Sequence, residues 1–186
     1  MPRCYSEPMH DRQPLPAIWL ISDARNDAVL EQVLAKIPPS SGFVFRHYHL
    51  GATARQRRFE ALRMVCRQFG HLVLLAGDAD TAEAWAADGI YGPPDKLGES
   101  NGLLRFASVH DLREVSLANQ AKVDGMFLSP VFPTRSHPLG ACLGPANFNQ
   151  LAALAESPVI ALGGMDAQRA EDHGWPRWAG IDAFLR

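Results

Sequence analysis

The chain has 186 residues, 47% of them hydrophobic and 20% charged, a length and balance that suit one soluble domain with a real core and exclude a disordered or fibrous chain. A formal net charge of −2 supplies no broad basic field, which argues against nucleic acid as a partner, and no apolar run approaches the ~18 residues of a membrane span. Cys4, Cys66 and Cys142 are widely spaced thiols without metal-ligand spacing or even pairing, the usage expected in a reducing, cytoplasmic compartment.

Residues 1–16 mix Arg3, Glu7, Asp11 and Arg12 with Pro2, Pro8, Pro14 and Pro16, which excludes a signal h-region and predicts a flexible N-terminal arm ahead of a single domain over 17–186. From Ala17 onward, short branched apolar runs alternate with helical stretches, the pattern of repeated βα units. The predicted strands are Ala17–Ser22, Gly42–His47, Leu72–Ala76, Asp88–Tyr91, Leu103–Ser108, Gly125–Ser129, Pro158–Leu162 and Ala179–Ala183. The predicted helices are Asp27–Lys36, Ala54–Phe69, Thr81–Ala87, Asp111–Lys122, Pro145–Ala155 and Ala167–His173, and the Pro- and Gly-bearing connection Gly92–Gly102 is expected to hold little helix. Eight strands with interleaved helices point to a closed TIM (β/α)8 barrel rather than an open sheet.

In Ala54–Phe69, residues Phe59, Leu62, Val65, Cys66 and Phe69 share one face, which leaves Arg55, Arg57, Arg58, Arg63 and Arg67 mostly on the wet faces as a solvated charge run. Further on, Val123–Ser136 and Pro158–Asp166 each run a buried strand into a loop of small, hydroxyl or Gly residues, the device with which parallel barrels build phosphate sites. Asp166 is placed to cap the helix that follows. Gly163 and Gly164 have two readings: close backbone approach to a phosphate, or a strand-to-helix turn that needs only a positive φ. On the first, replacing either by Ala is expected to impair ligand affinity more than folding.

Arg186 closes the chain just after the eighth predicted strand, so the barrel is expected to lack its final helix. The flank where that helix would pack needs a cover, either the N-terminal arm with Leu15, Ala17 and Trp19 or a second subunit, and a homo-oligomer is the expectation.

The segment Ser129-Pro130-Val131-Phe132-Pro133-Thr134-Arg135-Ser136, followed by Val159-Ile160-Ala161-Leu162-Gly163-Gly164-Met165, resembles the thiamine-phosphate synthase and thiazole tautomerase superfamily. Ser108-Val109-His110 with Glu114, and Ala87-Asp88-Gly89-Ile90, extend the resemblance over roughly Gly42 to Ala183. It implies a TIM barrel that joins an aminopyrimidine methyl diphosphate to a thiazole phosphate and releases pyrophosphate. By the same resemblance, Arg46 would contact the diphosphate and Ser108 a phosphate, these two being the catalytic candidates. Thr134, Ser136 and the backbone of Gly163 and Gly164 would hold the thiazole phosphate. The implied cofactor is Mg²⁺, with Asp95 as the nearest candidate ligand after strand four.

The chain departs from the family pattern at charged positions. Ala76 and Gly77 stand where the family has an Asn-Asp pair, with Asp78 one place late. Tyr48 and His137 stand where it has lysines, and Ser129-Pro130 replaces the tautomerase histidine segment. His47, His49 and His110 remain as acid–base candidates, each with an alternative structural role. Three readings stay open: a thiamine-phosphate synthase-like transferase; a catalytically diverged barrel that binds a thiazole or thiamine phosphate as an accessory or sensor protein; and a domain whose Gly, Ser and Thr serve turns alone.

Overall fold

The computed structural model describes residues 14–99, 102–134 and 141–184. Eight parallel strands, β1 (Ile18–Ile21), β2 (Gly42–Phe45), β3 (Leu72–Leu75), β4 (Gly89–Gly92), β5 (Leu104–Val109), β6 (Gly125–Leu128), β7 (Val159–Leu162) and β8 (Trp178–Gly180), pair in sequence order. The ring closes where Ile18, Trp19 and Leu20 pair with Trp178, Ala179 and Gly180. Outside it lie α1 (Leu30–Lys36), α2 (Ala52–Gln68), α3 (Ala79–Ala84), α4 (Leu112–Gln120), α5 (Gly144–Ala152) and α6 (Ala167–Asp172). The expected TIM barrel is the fold. A short 3-10 turn, Pro94–Lys96, stands in the connection between β4 and β5 that was predicted to hold little helix.

The strands read as continuous apolar runs because both faces are covered. Inward-facing Trp19, Ile21, Val44, Leu74, Phe106, Phe127 and Ile160 fill the barrel. Trp19 lies 5.1 Å from Phe106 and 5.2 Å from Phe127, ring to ring. It fits because β2 presents Gly42 at that level, where a Cβ would fall 2.1 Å from the indole. The alternate residues, among them Leu20, Phe43, Phe45, Val73 and Leu75, face the helices and meet Phe59, Leu62 and Cys66 of α2. Each such side chain, fully removed from water, contributes roughly 2 kcal/mol.

Two expectations need correction. The arginines of α2 are not one solvated run, since Arg55 and Arg58 turn back into the fold and bind backbone carbonyls and carboxylates near the strand ends. The eighth strand starts one residue earlier than expected and is short: the ladder stops at Gly180, and Asp182–Phe184 winds into a 3-10 turn that stacks Phe184 on Trp178 at 5.3 Å and 11°. That turn packs Ala183 and Phe184 against the helix-side core. Leu15 packs with the interior cluster, and Trp19 is inside the barrel and donates to the Pro16 carbonyl at 2.9 Å. Residues 1–13 of the expected arm, with Cys4, lie outside the described residues, as do Arg135, Ser136 and His137.

Candidate active site

At the C-terminal ends of the strands a cavity of about 260 Å³ is lined by Arg46, Tyr91, His110, Ser129, Pro130, Thr134, Ala141, Leu162, Gly163 and Ile181. A second hollow of about 650 Å³ adjoins it, shares Thr134, Leu162, Gly163 and Ile181, and continues past Gly164 to the cap of α6. The fold thus brings Arg46, Thr134 and Gly163 onto one cavity and sets Gly164 beside it. Ser108 does not line the cavity; its hydroxyl bonds to Tyr91, which does. Burial pushes the Tyr91 phenol up to about 12, so at neutral pH it is an uncharged wall group. Asp95 lines a separate depression with Arg105 and Lys122, against the end of α4.

Two constructions hold this mouth. On the β6–β7 side the backbone does it. The amides of Val131 and Phe132 donate to the carbonyls of Leu162 (2.9 Å) and Gly163 (3.0 Å), and the amides of Leu143 and Gly144 donate to Pro130 (2.8 Å) and Val131 (2.9 Å). Gly163 and Gly164 have φ of 96° and 62°. An added Cβ would stand 2.6 Å from Pro130 Cα at the first and 2.6 Å from the Pro133 carbonyl oxygen at the second. Replacing either by Ala therefore strikes the fold directly, which corrects the expectation that affinity would suffer first. Asp166 caps α6, accepting the Arg169 amide at 2.9 Å. The Arg169 guanidinium lies over the Phe132 ring at 4.6 Å and donates to the Gly164 carbonyl.

On the β1–β2 side, side chains do it. Ser22 Oγ accepts the Arg46 amide at 2.8 Å and lies 2.8 Å from His47 Nδ1. His47 Nε2 is 2.8 Å from Asp27 Oδ1, which also accepts Arg58 Nε at 2.6 Å, and Arg58 reaches Glu31 as well. Burial draws the His47 imidazole below its ordinary value, against the pull of Asp27. Burial works to raise the Asp27 carboxyl, but the bonds from His47 and Arg58 outweigh it and hold the carboxyl low. Asn26 ties the ends of β1 and β8 together, donating to the carbonyls of Ile21 (3.0 Å) and Ile181 (3.3 Å). Arg55 donates to the carbonyls of Arg46 (3.2 Å) and Ala76 (2.7 Å) and so bridges the ends of β2 and β3.

The histidines separate accordingly. His47 is buried with both ring nitrogens engaged. His110 is exposed, lines the cavity and bonds to Glu114 Oε2 through its amide and Nδ1, both at 2.8 Å. Asp27, His47 and His49 gather one ligand atom each within 4.8 Å, the one such group among the described residues. A cation there would meet the Arg58 guanidinium already on Asp27 and would have to break the Ser22–His47–Asp27 bonds. Asp78 lies after β3 but caps α3, accepting the Thr81 amide at 2.7 Å and its hydroxyl at 3.0 Å.

Sequence reasoning passed over Tyr91, Ile181, Asn26, Ser22 and Arg169. Tyr91 and Ile181 are readable only as strand-end residues once the inward parity of β4 and β8 is known. The other three depend on contacts across the chain that no local pattern marks.

A larger hollow, about 880 Å³, opens at the opposite end of the barrel. Its polar groups serve the strand starts: His71 joins the Leu34 carbonyl (2.8 Å) to the Ser41 amide (3.1 Å), Asp88 accepts the Val73 amide (2.7 Å), and Asp124 accepts the Arg105 amide (2.9 Å). These bonds secure the scaffold, and the mouth carries the candidate chemistry.

A sequence profile of the family described as thiamine monophosphate synthase matches residues 18–181. The thiamine-phosphate synthase of Geobacillus thermodenitrificans is 25% identical over 183 residues, covering 90% of this chain and 80% of that protein. The one from Parasynechococcus marenigrum is 31% identical over 111 residues, 56% of this chain but only 32% of that longer protein. Among solved structures, thiamine phosphate pyrophosphorylase from Pyrococcus furiosus superposes with a TM-score of 0.75 at 22% identity, over 91% of this chain and 86% of that one, a likeness of fold.

Proposed function

The chain belongs to the thiamine monophosphate synthase family, and from that premise we propose that it is a transferase of thiamine biosynthesis, joining hydroxymethylpyrimidine diphosphate to thiazole phosphate with release of pyrophosphate. The observation that supports this best is a single mouth with a cation on one wall, Arg46, and a hydroxyl–glycine edge on the other, Thr134 with Gly163. Between them Tyr91, Pro130, Leu162 and Ile181 supply apolar surface for two flat rings.

In this reading the C–O bond to the diphosphate breaks, the thiazole nitrogen forms the new C–N bond, and pyrophosphate leaves with the bonding electrons. Arg46 faces the charge that develops on the leaving group, where a fixed cation is worth most. Thr134 and the turn at Gly163 and Gly164 seat the thiazole phosphate, with Ser136 assigned to the same edge by resemblance. Ser108 acts through Tyr91 on the pyrimidine side. Arg169 places a second cation near the thiazole phosphate end.

The chain's donor set does not fit a protein-held Mg²⁺. Among the described residues Asp78 serves as a helix cap, Asp95 lines another depression, and the Asp27 group is held by Arg58. Any Mg²⁺ then arrives with the diphosphate, whose oxygens and water can complete its preferred octahedron. No described helix is long and apolar enough to cross a membrane. We place the activity in the cytoplasm, where the buried Cys66, its thiol pushed up to about 12, and the exposed Cys142 would stay reduced. A homo-oligomer remains the proposal for quaternary state, checked by light scattering.

A coupled pyrophosphate assay with both substrates tests the reading. Turnover that needs both is expected. Thermal stabilisation by thiazole phosphate without turnover would identify the non-transferring alternative instead.

A further inference from the structure

We propose that Ser22 and His47 are positioning residues for Arg46: a hydrogen-bonded chain, Ser22–His47–Asp27–Arg58, buried at its first two members, fixes the backbone at Arg46 so that its guanidinium faces the mouth. The inference rests on the reading of Arg46 as the diphosphate contact, and it goes beyond that reading by assigning roles to residues that touch no substrate.

Three observations carry it. Ser22 and His47 are 0% and 1% exposed, and neither lines the cavity, so neither can meet a ligand. Their bonds form one directional path. The Asp27 carboxylate can only accept, which puts the proton of the neutral ring on Nε2; Nδ1 then accepts from the Ser22 hydroxyl, whose oxygen accepts the Arg46 amide. Asp27 is held in turn by Arg58 through Nε at 2.6 Å, and Arg58 also donates to the Asp27 carbonyl at 2.6 Å, which ties the path to α2.

The third observation is the backbone itself. His47, the residue after Arg46, has φ of 28°, a positive value uncommon for any residue but glycine and short of the left-handed well at about 50–70°. Such a conformation persists only where the surroundings over-determine it, and such positions gather at functional sites. Here the surroundings are the two ring hydrogen bonds and the Phe45 ring, stacked on His47 at 4.6 Å and 3°. The bend it makes leaves Arg46 on the cavity wall, while Tyr48, 66% exposed, keeps its ring 5.8 Å from the Arg46 guanidinium.

The test uses the full chain with inorganic pyrophosphate as the probe, and two readouts. Hydrogen exchange of the Arg46 amide, followed by NMR, reports positioning alone, while calorimetric affinity for pyrophosphate reports positioning and the role of Arg46 together. Ser22→Ala is expected to speed that exchange by at least about tenfold and to weaken pyrophosphate by about tenfold. Ser22→Thr, which keeps the hydroxyl, should restore both. In an Arg46→Ala background the same Ser22→Ala change should no longer affect affinity. His47→Gln serves as a second variant should Ser22→Ala fold poorly. Unchanged exchange at Arg46 in both variants, or an affinity loss equally large without Arg46, would overturn the proposal. Faster exchange with unchanged affinity supports the positioning and removes Arg46 from the diphosphate site.

Discussion

The two walls of the mouth are built by different physics. On the β6–β7 wall, Val131 and Phe132 hydrogen-bond across to Leu162 and Gly163, and two left-handed glycines let the backbones touch, so the geometry is written in main chain and sterics. On the β1–β2 wall the geometry depends on a polar chain that runs from partly exposed Arg58 through Asp27 and buried His47 to Ser22, which holds the backbone of a half-buried cation, Arg46. A wall of the first kind fails by unfolding when it is altered. The second kind can lose its charge and keep its fold.

The largest effect should therefore come from the backbone wall. Gly163→Ala must place a Cβ 2.6 Å from Pro130 Cα at a φ of 96°, and neither backbone can yield cheaply. A loss of about 3 kcal/mol or more in urea unfolding is expected. Wild-type stability in this variant would show that the two loops separate easily, and the contrast between the walls would fall. Next comes Arg46→Gln, which should lower kcat/KM for pyrophosphate release about a hundredfold while leaving the melting temperature within a degree or two. A large stability loss in this variant would make Arg46 a structural residue and erase the distinction.

The same contrast explains what the sequence could and could not reveal. The barrel was legible because eight apolar runs with helices between them leave few alternatives, and because Asp166 before α6 and the Gly163–Gly164 pair are local patterns with local causes. The strand-to-loop device after β6 and β7 is local in the same sense, whereas the assignment of Thr134, Ser136, Gly163 and Gly164 to a thiazole phosphate came from the family resemblance. What those glycines do was only half legible, since the clash with Pro130 and Pro133 is a contact between loops some thirty residues apart. The Ser22–His47–Asp27–Arg58 chain was not legible at all. Its members come from β1, the turn before α1, the end of β2 and α2, and His47 in isolation looks the same whether it catalyses, packs or positions. The eighth strand was displaced because the apolar residues of Ala179–Ala183 outweighed Asp182, the one charged residue there, which marks the turn bringing Phe184 back onto Trp178.

Acid should test the polar wall against the scaffold at the far end. Burial holds the imidazoles of both His47, at the mouth, and His71, at the strand starts, below their ordinary value. In the unfolded chain both return to about 6.5. Below that pH the unfolded state takes up protons that the folded state refuses, so stability is full above about pH 6.5 and declines as the pH falls towards the folded-state values. The slope is at most about 1.4 kcal/mol per pH unit for each residue. Urea midpoints between pH 5 and 8 should show this decline in wild type, and His71→Gln and His47→Gln should each remove part of it. A flat profile in wild type would mean that neither histidine is buried neutral.

The smallest effect concerns Tyr48, which stands two residues after Arg46 where the family pattern has a lysine. Its ring lies 5.8 Å from the Arg46 guanidinium and 5.9 Å from that of Arg55, so it serves both as an exposed aromatic partner. Such contacts contribute about 0.5–1 kcal/mol each at a wet surface. Tyr48→Lys removes them and introduces a third cation at the rim, so two terms oppose each other: a lysine within several ångströms of a diphosphate attracts it by about 1 kcal/mol in a watery environment, while repulsion from Arg46 and Arg55 costs a comparable amount until the anion arrives. The anion relieves that repulsion. Binding should therefore strengthen two- to fivefold for pyrophosphate as folding stability drops by less than about 1 kcal/mol, and raising the salt from 0.05 to 0.5 M should abolish the gain. Weaker pyrophosphate binding in Tyr48→Lys would show that the ring orients Arg46, and would extend the positioning role of this wall from its buried chain to its surface.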